Sequence, residues 1–538
     1  MTVTDRQAAS LAHRLARRPG CSRRDLLRAT LALAATSIGL PMAVRGQSLS
    51  RFVEYPFQLG VGSGYPTPDG ISLWTRLAPM PLAPDGGIPP DEWVTVTWQV
   101  AEDEGFGRIV REGRVRAVQE LAHSVHVDVR GLQADRGYHY RFLTDTAASP
   151  VGRTRTAPAA GADPAALRLA VASCQHFEQG FFTPYRHMLA DRAELVVFLG
   201  DYIYESSWGD ELVRRHRGPE PYDLDGYRVR HAQYKTDPDL QAMHAAVPWL
   251  LTWDDHEVDN DSAGAFSEHG DPRFLLRRAA AYQAYYEHMP LPRRMLPQPD
   301  GSMRIHTHVD FGLLARVYML DDRQYRTAQP CPDPYKGGGS TDVDPEHCPE
   351  LQDPEQTLLG IEQERWLAGT MDASRARWNI LAQQTLMTPM DTAEGPGRKV
   401  LTDSWDGYPR SREQVHRLFE REGLRNPIVV GGDIHANVVT NVRRDPWAAD
   451  SPVLAAEVCG TSLTAQGWPQ ERYEGYLRDN PHLLLGRSDR RGYALFELGR
   501  DRCQVRLRTV DSVKTRTSSI QTLAQFVVHD GRRGIEPA

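Results

Sequence analysis

Three features are scarce in this chain of 538 residues. Cysteine occurs only six times, and no two cysteines have the close spacing that is typical of structural zinc sites. Positive charge is not in excess, because 63 Lys and Arg face 70 Asp and Glu, for a net charge of −7. Long apolar runs are also absent, since the apolar stretch at residues 31–40 is too short to cross a bilayer. These absences argue against a nucleic-acid-binding protein and against a membrane-anchored one.

The remaining composition is that of an ordinary globular protein, with 25% charged and 40% hydrophobic residues. The length allows two or three domains, at roughly one domain per 150 residues.

The N-terminus has a different character from the rest of the chain. Arg23 and Arg24 precede the weakly apolar stretch at residues 31–40, which predicts a twin-arginine signal peptide over residues 1–47 rather than a basic tail. The protein is then expected to be exported by the Tat translocase and to be secreted, periplasmic or held in the cell wall, with no transmembrane anchor after cleavage. Removal of residues 1–47 takes away eight arginines and two aspartates, so the net charge moves to −13. This acidity favours cation binding.

Five cysteines remain outside the predicted signal, and an odd number in an exported chain leaves one thiol unpaired. Cys331 and Cys348 flank a loop rich in Pro, Gly and Asp, which predicts a disulfide. Cys459 and Cys503 form a second candidate pair, and Cys174 is then the free thiol.

The first domain is predicted to be entirely β. Residues 94–100 and 124–129 alternate apolar and polar side chains with period two, and residues 137–142 resemble the tyrosine-corner strand of sandwich domains. An immunoglobulin- or fibronectin-like sandwich is therefore expected over residues 50–157, followed by a linker rich in Pro, Gly and Ala.

A layered α/β domain is predicted for residues 165–520, because apolar runs alternate there with helical stretches. Residues 196–205, VVFLGDYIYE, show the pattern most clearly: a buried parallel strand ends in Gly200 and Asp201. Further runs end in polar side chains at residues 167–174, 249–261, 315–325 and 427–437. Carboxyl ends of parallel strands meet at one edge of a sheet, so these side chains should converge on one site.

The converging side chains can bind metal ions. They are Cys174, Asp201, Tyr204, Asp254, Asp255, His256, Asn260, Asp433 and His435. One ion needs fewer ligands, so two or more ions are expected, and a carboxylate-rich set with a phenolate favours iron(III), manganese or calcium. Such ions activate water and neutralise a phosphoryl group during in-line attack, which predicts a hydrolase.

Five short blocks carry a resemblance to a known family. They are residues 173–175 (SCQ), 200–205 (GDYIYE), 253–257 (WDDHE), 320–325 (LDDRQY) and 432–435 (GDIH). Present in this order, they resemble the PhoD-like alkaline phosphatases of the calcineurin-like metallophosphatase superfamily. The resemblance implies a four-layer αββα catalytic domain that holds one iron(III) with one or two calcium ions, with manganese or zinc as alternatives.

The resemblance also implies roles for individual residues. Cys174 and Tyr204 would bind iron and Asp201 would bridge the metals, while Asp255, Asp433 and His435 would be further ligands. His256 would orient the substrate or protonate the leaving group, and Arg323 would contact the substrate phosphate, with a buried ion pair as the alternative. Asp254, Asn260, His176 and Gln384 are additional candidate ligands, and Gln383 or Gln384 stands where many relatives have a metal-binding histidine.

The predicted function is that of an exported, metal-dependent phosphate ester hydrolase. A metal-activated hydroxide would attack the phosphorus of a mono- or diester in line, without a covalent enzyme intermediate. The alternatives are a phospholipase D-type phosphodiesterase, a non-catalytic surface module that binds glycans or polymers, and a metallohydrolase that acts on bonds other than phosphate esters.

Overall fold

The computed structural model describes residues 52, 54–89, 91–333, 335, 337–393 and 395–538. The predicted twin-arginine signal at residues 1–47 lies outside the described residues.

The described chain is a mixed α/β protein with several sheets. The α-helices are α1 (Pro184–Ala190), α2 (Leu224–Lys235), α3 (Pro238–Ala246), α4 (Phe274–His288), α5 (Gly360–Asp372), α6 (Pro409–Phe419) and α7 (Gln470–Asp479). The strands up to the middle of the chain are β1 (Val61–Thr67), β2 (Gly70–Arg76), β3 (Trp93–Ala101), β4 (Ile109–Val118), β5 (Ser124–Arg130), β6 (Gly137–Leu143), β7 (Gly152–Arg155), β8 (Ala166–Ala172), β9 (Leu195–Phe198), β10 (Pro248–Leu251), β11 (Thr307–Phe311) and β12 (Ala315–Met319). The others are β13 (Asp342–Val343), β14 (Trp378–Ala382), β15 (Val400–Leu401), β16 (Pro427–Gly431), β17 (Asn437–Arg443), β18 (Val453–Cys459), β19 (Leu483–Arg487), β20 (Arg491–Gly499), β21 (Arg502–Val510), β22 (Ile520–His529) and β23 (Glu536–Pro537).

Two large sheets form the centre of the molecule. The ten-stranded sheet has the order β23-β22-β21-β20-β8-β9-β10-β1-β2-β5, and the seven-stranded sheet has the order β11-β12-β14-β16-β18-β17-β19. Strands β8, β9 and β10 are parallel in the first sheet, as are β12, β14, β16 and β18 in the second. Every residue of β9 and β10 is buried, which is typical of a parallel strand that is covered on both faces.

The two faces of the seven-stranded sheet pack against different partners. Val317 and Met319 of β12 belong to an apolar cluster that also contains residues of the ten-stranded sheet. Their neighbours Tyr318 and Leu320 belong to a second cluster, which contains residues of α5 and α6. Because side chains alternate along a strand, one face of this sheet packs on the other large sheet and the opposite face on helices.

The N-terminal strands share one apolar cluster but belong to two sheets. The described residues between 61 and 155 form strands β1 to β7 and contain no α-helix. However, β4-β3-β6-β7 form a four-stranded sheet, whereas β1, β2 and β5 extend the ten-stranded sheet. The junction is the parallel pairing of β1 with β10, at Ser63 with Pro248. At the other edge of this sheet, β22 continues past the predicted boundary at residue 520.

One of the two candidate disulfides is present. Cys331 and Cys348 are bonded, whereas Cys459 and Cys503 are free and buried. The second pairing is wrong because Cys459 lies on β18 of the seven-stranded sheet and Cys503 on β21 of the ten-stranded sheet. Cys174 is also a free, buried thiol.

No α-helix among the described residues is both long enough and apolar enough to span a membrane.

Candidate active site

The predicted site residues stand directly after the parallel strands, in an unusual backbone conformation. Cys174 follows β8, Asp201 follows β9, and Asp433 and His435 follow β16. All four have a positive φ, between 51° and 65°. Such values are uncommon for residues other than glycine and cluster at functional sites. The sharp turns direct several side chains from both large sheets toward one place.

Gly200 allows two of these turns to touch. Its φ is +106°, and a Cβ atom at this position would lie 2.4 Å from the backbone nitrogen of Asp254. Only glycine fits such a close approach. The turn after β9 therefore contacts the turn after β10, which brings Asp201 close to Asp254 and Asp255.

Three groups of side chains have the spacing of metal ligands. In each group the candidate ligand atoms lie within 4.8 Å of one another. The groups are Cys174 with Asp201 and His435, Asp201 with Asp255 and His256, and Asp254 with Asp255 and Asp433. Asp201 and Asp255 are each shared by two groups, so the three groups bring together seven of the nine side chains named from the sequence. Tyr204 joins them through its hydrogen bond to Asp201, and the backbone nitrogen of Asn260 donates to Glu205.

Three buried carboxylate oxygens in these groups have no hydrogen-bond partner among the described residues. Oδ1 of Asp201, Oδ2 of Asp254 and Oδ1 of Asp255 accept no hydrogen bond from any described residue. An uncompensated buried carboxylate is costly, whereas a bound cation satisfies it. These residues therefore fit a site for metal cations.

Around the Tyr204 hydroxyl there are also more hydrogen-bond acceptors than protons to donate to them. The Tyr204 hydroxyl donates to Oδ2 of Asp201 at 2.7 Å and lies 3.0 Å from Nε2 of His435. Nδ1 of His435 donates to the carbonyl oxygen of Gln466 at 2.6 Å, so in a neutral imidazole Nε2 carries only a lone pair. One proton then serves two acceptors, which again fits a cation. Burial, followed by the Asp201 and Cys174 charges, raises the pKa of Tyr204.

Glu205 orients the predicted catalytic histidine. Oε2 of Glu205 lies 2.7 Å from Nδ1 of His256, and the two side chains are 2% and 11% exposed. Burial alone would lower the pKa of His256, but the charge of Glu205, and then those of Asp255 and Asp201, raise it well above its usual value. His256 lines the cavity, so Glu205 holds the imidazole ring at the cavity wall.

Arg323 is buried among carboxylates. Its Nε donates to Asp254 and its Nη1 to Oδ2 of Asp403 at 2.7 Å. Nη2 lies 3.6 Å from Asp255 and 3.7 Å from Asp433, and it donates no hydrogen bond within the described chain. The ion-pair alternative raised from the sequence is thus realised in this geometry.

The two amide side chains among the candidate ligands have different surroundings. Asn260 lines the cavity and donates from Nδ2 to Glu268 at 3.0 Å. Gln384 is fully buried, donates to Thr252 and to two carbonyl oxygens, and accepts from the backbone of Asp322. Its amide group is occupied by hydrogen bonds that join β10, β12 and β14.

The cavity next to these groups has a volume of about 850 Å³. Its wall is strongly acidic, and burial raises the pKa of Asp433 to about 8, with Asp403, Asp255 and Asp201 adding to the shift and Arg323 opposing it. Burial and the neighbouring Asp403 and Asp255 likewise raise the pKa of Asp261 to about 7. Neighbouring carboxyl groups raise one another's pKa because their ionised forms repel. A bound cation would stabilise the ionised forms.

Three residues at the site were not anticipated from the sequence. Glu205 and Glu257 are the last residues of two of the recognised blocks, and Asp403 lies in no block. The acidic ends of those blocks are the only signal that could have indicated the first two.

A buried set of carboxylate, thiol, phenol and imidazole groups, placed at the carboxyl ends of parallel strands beside a deep cavity, fits the class of hydrolases that act with bound cations. The comparisons with known proteins narrow this class. The profile described as PhoD-like phosphatase matches residues 169–507, and the profile of the PhoD-like phosphatase, N-terminal domain, matches residues 43–158.

Alkaline phosphatase D of Bacillus subtilis (strain 168) is 40% identical over 529 residues, which cover 95% of this chain and 88% of that protein. A solved structure described as "Structure of PhoD" matches with a TM-score of 0.85 and 41% identity, over 91% of this chain and 93% of that one. The chain belongs to the PhoD-like phosphatase family, and it is a hydrolase of phosphoric ester bonds. The resemblance inferred from the sequence is confirmed.

Proposed function

We propose that this protein is an exported, metal-dependent hydrolase of phosphate esters. The observation that carries the metal dependence is the set of buried oxygens of Asp201, Asp254 and Asp255 that have no hydrogen-bond partner within the described chain. A protein without bound cations would retain these charges at a large energetic cost.

The candidate ligands divide by chemistry. Cys174, Tyr204, Asp201 and His435 offer the thiolate, phenolate, carboxylate and imidazole donors that suit iron(III). A second set of hard oxygen donors suits one or two calcium ions, with manganese or zinc as alternatives. This set consists of Asp254, Asp255, Asn260 and Asp433, with Asp201 shared. When bound, these ions would lower the pKa of a water and neutralise the charge on the phosphoryl group.

The protein side chains supply the remaining steps. His256, held by Glu205, is placed at the cavity wall to protonate the oxygen of the departing alcohol. Nη2 of Arg323 has no acceptor among the described residues, so it is the atom through which Arg323 would contact a bound phosphate. Asp403 and Asp254 fix the other guanidinium nitrogens and thereby aim Nη2.

The cavity size leaves room for phosphodiesters as well as for small monoesters. A volume of about 850 Å³ lies in the upper part of the range of ligand-binding pockets, roughly 300–1,000 Å³. A diester would place an alcohol group on each side of the phosphorus, and phospholipase D-type hydrolysis is one case of such a reaction.

The architecture and the location are parts of the same proposal. The packing of helices, sheet, sheet and helices supports a four-layer αββα catalytic domain over residues 165–520, and residues 50–157 would form the β-sandwich in front of it. Residues 1–47 would direct export through the Tat translocase to the cell exterior, periplasm or cell wall. The Cys331–Cys348 disulfide is consistent with an oxidising compartment.

Hydrolysis of a chromogenic phosphodiester and of the corresponding monoester, with and without a chelator, tests the proposal. Metal-loaded wild-type protein should hydrolyse the diester, and the chelator should abolish turnover until metal is restored. The Asp201→Asn variant should lose most of its activity, whereas Asp310→Asn should not, because Asp310 lies on β11 and pairs with Arg316. Chelator-resistant turnover would refute the metal dependence, and a metal-loaded protein without turnover of either ester would favour a binding module.

A further inference from the structure

One buried carboxylate joins the two loops that carry the predicted bridging and calcium ligands. Oε2 of Glu257 accepts hydrogen bonds from the backbone nitrogens of Asp201 at 3.0 Å and Asp254 at 2.7 Å. Its Oε1 accepts from the backbone nitrogen of Tyr202 at 2.6 Å. Glu257 is 0% exposed, so water does not compete for these bonds.

The three donors come from two separate parts of the chain. Asp201 and Tyr202 follow β9, whereas Asp254 follows β10. Between these strands lie about fifty residues, including α2 and α3, so local chain geometry does not fix the distance between the two turns. The pairing of Phe198 with Leu251 brings the two strand ends together, and beyond that pairing the carboxylate of Glu257 joins the two turns.

The unusual backbone of the turn after β9 needs hydrogen bonds from its surroundings to keep its conformation. Asp201 has a φ of 55°, and the adjacent Gly200 has a φ of +106°. Unusual backbone conformations of this kind persist only where the surroundings hold them. The carboxyl group of Glu257 provides this because both of its oxygens accept hydrogen bonds from the backbone of the turns.

We propose that Glu257 is a positioning residue for the metal centre, and the proposal rests on the metal dependence proposed above. Glu257 does not line the cavity, and both of its carboxylate oxygens accept backbone hydrogen bonds. It acts through the main chain, by fixing the separation between Asp201 on one loop and Asp254 and Asp255 on the other. Residues that orient metal ligands typically change metal affinity or activity about 10- to 100-fold when replaced.

Two substitutions separate this role from simple packing. Glu257→Gln keeps the shape, but its amide has one oxygen, so an NH₂ group must face at least one of the three backbone N–H donors. Glu257→Asp keeps the charge and shortens the side chain by one methylene group, so it should recover part of the lost function. We expect Glu257→Gln to bind calcium about 10- to 100-fold more weakly than wild type and to lower kcat, with KM little changed.

Glu457 provides a matched control. It is also 0% exposed, and its carboxylate accepts from the backbone nitrogens of Met387 at 2.6 Å and Thr388 at 2.9 Å. These donors carry no predicted ligand. Glu457→Gln should therefore lower thermal stability by a similar mechanism while leaving metal content and calcium affinity unchanged.

The experiment measures bound metal by elemental analysis, calcium affinity by titration calorimetry, kcat and KM for a chromogenic diester, and the melting temperature for all four proteins. Loss of calcium affinity in Glu257→Gln but not in Glu457→Gln, with partial recovery in Glu257→Asp, supports the proposal. Equal losses of stability in both glutamine variants with unchanged metal binding overturn it. If Glu257→Gln does not fold, the calcium affinity of Glu257→Asp decides, and a wild-type value overturns the proposal. Wild-type protein that neither binds metal nor turns over would instead refute the proposed function.

Discussion

The pair formed by Glu205 and His256 gives a prediction that the pH dependence of catalysis can test. Glu205→Gln replaces the charged acceptor at 2.7 Å from Nδ1 of His256 with a neutral amide of the same shape. A hydrogen bond to a charged group contributes about 1.5–3 kcal/mol. Because this interaction favours the imidazolium over the neutral imidazole, the pKa of His256 should fall in Glu205→Gln.

The expected direction of the change in pH dependence follows from the raised pKa of His256. Glu205 raises the pKa of His256 despite burial, so the imidazolium persists to a higher pH than a free histidine allows. The pair stabilises the fold most fully below about pH 6.5, the usual pKa of histidine, and this contribution is lost as the pH rises through the raised pKa. If protonated His256 donates the proton to the leaving group, activity on the alkaline side should decline earlier in Glu205→Gln.

The assay is the pH profile of kcat for a chromogenic phosphodiester with metal-loaded protein. In Glu205→Gln the alkaline limb should move to lower pH, and kcat above the new pKa should fall by about tenfold per pH unit. Glu220→Gln is the matched control, because Glu220 also lies in the cavity wall but pairs with Arg277 at 2.6 Å. An unshifted profile in folded Glu205→Gln, or an equal shift in Glu220→Gln, would refute the role of the pair.

Three further predictions concern the metal centre and its support. Tyr204→Phe removes the hydroxyl that contacts Asp201 and His435; elemental analysis should show reduced iron in a folded protein, and full iron occupancy would exclude Tyr204 as a ligand. Gly200→Ala places a Cβ 2.4 Å from a backbone nitrogen at a φ of +106°; urea unfolding should show a loss of at least about 1–3 kcal/mol, and unchanged stability would contradict the close approach. Replacement of both Cys331 and Cys348 by serine opens a loop of 17-residue separation; the free energy of unfolding should fall by about 3 kcal/mol, and an unchanged value would show that the bond does not restrain the unfolded chain.

The metal-competent residues could be found from the sequence because they stand where strands end. Residues 196–201 and 427–433 each contain an apolar run that stops at a glycine and an aspartate. The position of each aspartate at the carboxyl end of its strand follows from this pattern, whereas the convergence of Asp201 and Asp433 also depends on the packing of two sheets. Which elements flank the site could therefore be predicted without coordinates.

The partners of these residues could not be predicted, because they depend on contacts between distant segments. Arg323 follows β12, yet its guanidinium pairs with Asp254, 69 positions earlier, and with Asp403, 80 positions later. Nothing in the local pattern distinguishes a buried ion pair from a phosphate contact. The same limit applies to the backbone acceptor role of Glu257, which depends on main-chain donors and leaves no trace in residue types.

The sequence pattern also could not predict which sheet each strand joins. Period-two alternation identifies a strand such as β5, but it does not reveal which sheet the strand joins. The parallel pairing of β1 with β10 makes three N-terminal strands continuous with the sheet below the site. For the same reason Cys459 and Cys503 could be paired on paper, although their strands belong to different sheets.

The central claim is that the acceptors around Asp201 are satisfied by bound metal ions. Anomalous X-ray diffraction from crystals of the purified protein, recorded on both sides of the iron absorption edge, tests it most directly. We expect an iron peak in contact with Cys174, Tyr204 and Asp201, and at least one further cation beside Asp254 and Asp255. Crystals of fully active protein without density for a metal at these carboxylates would contradict it.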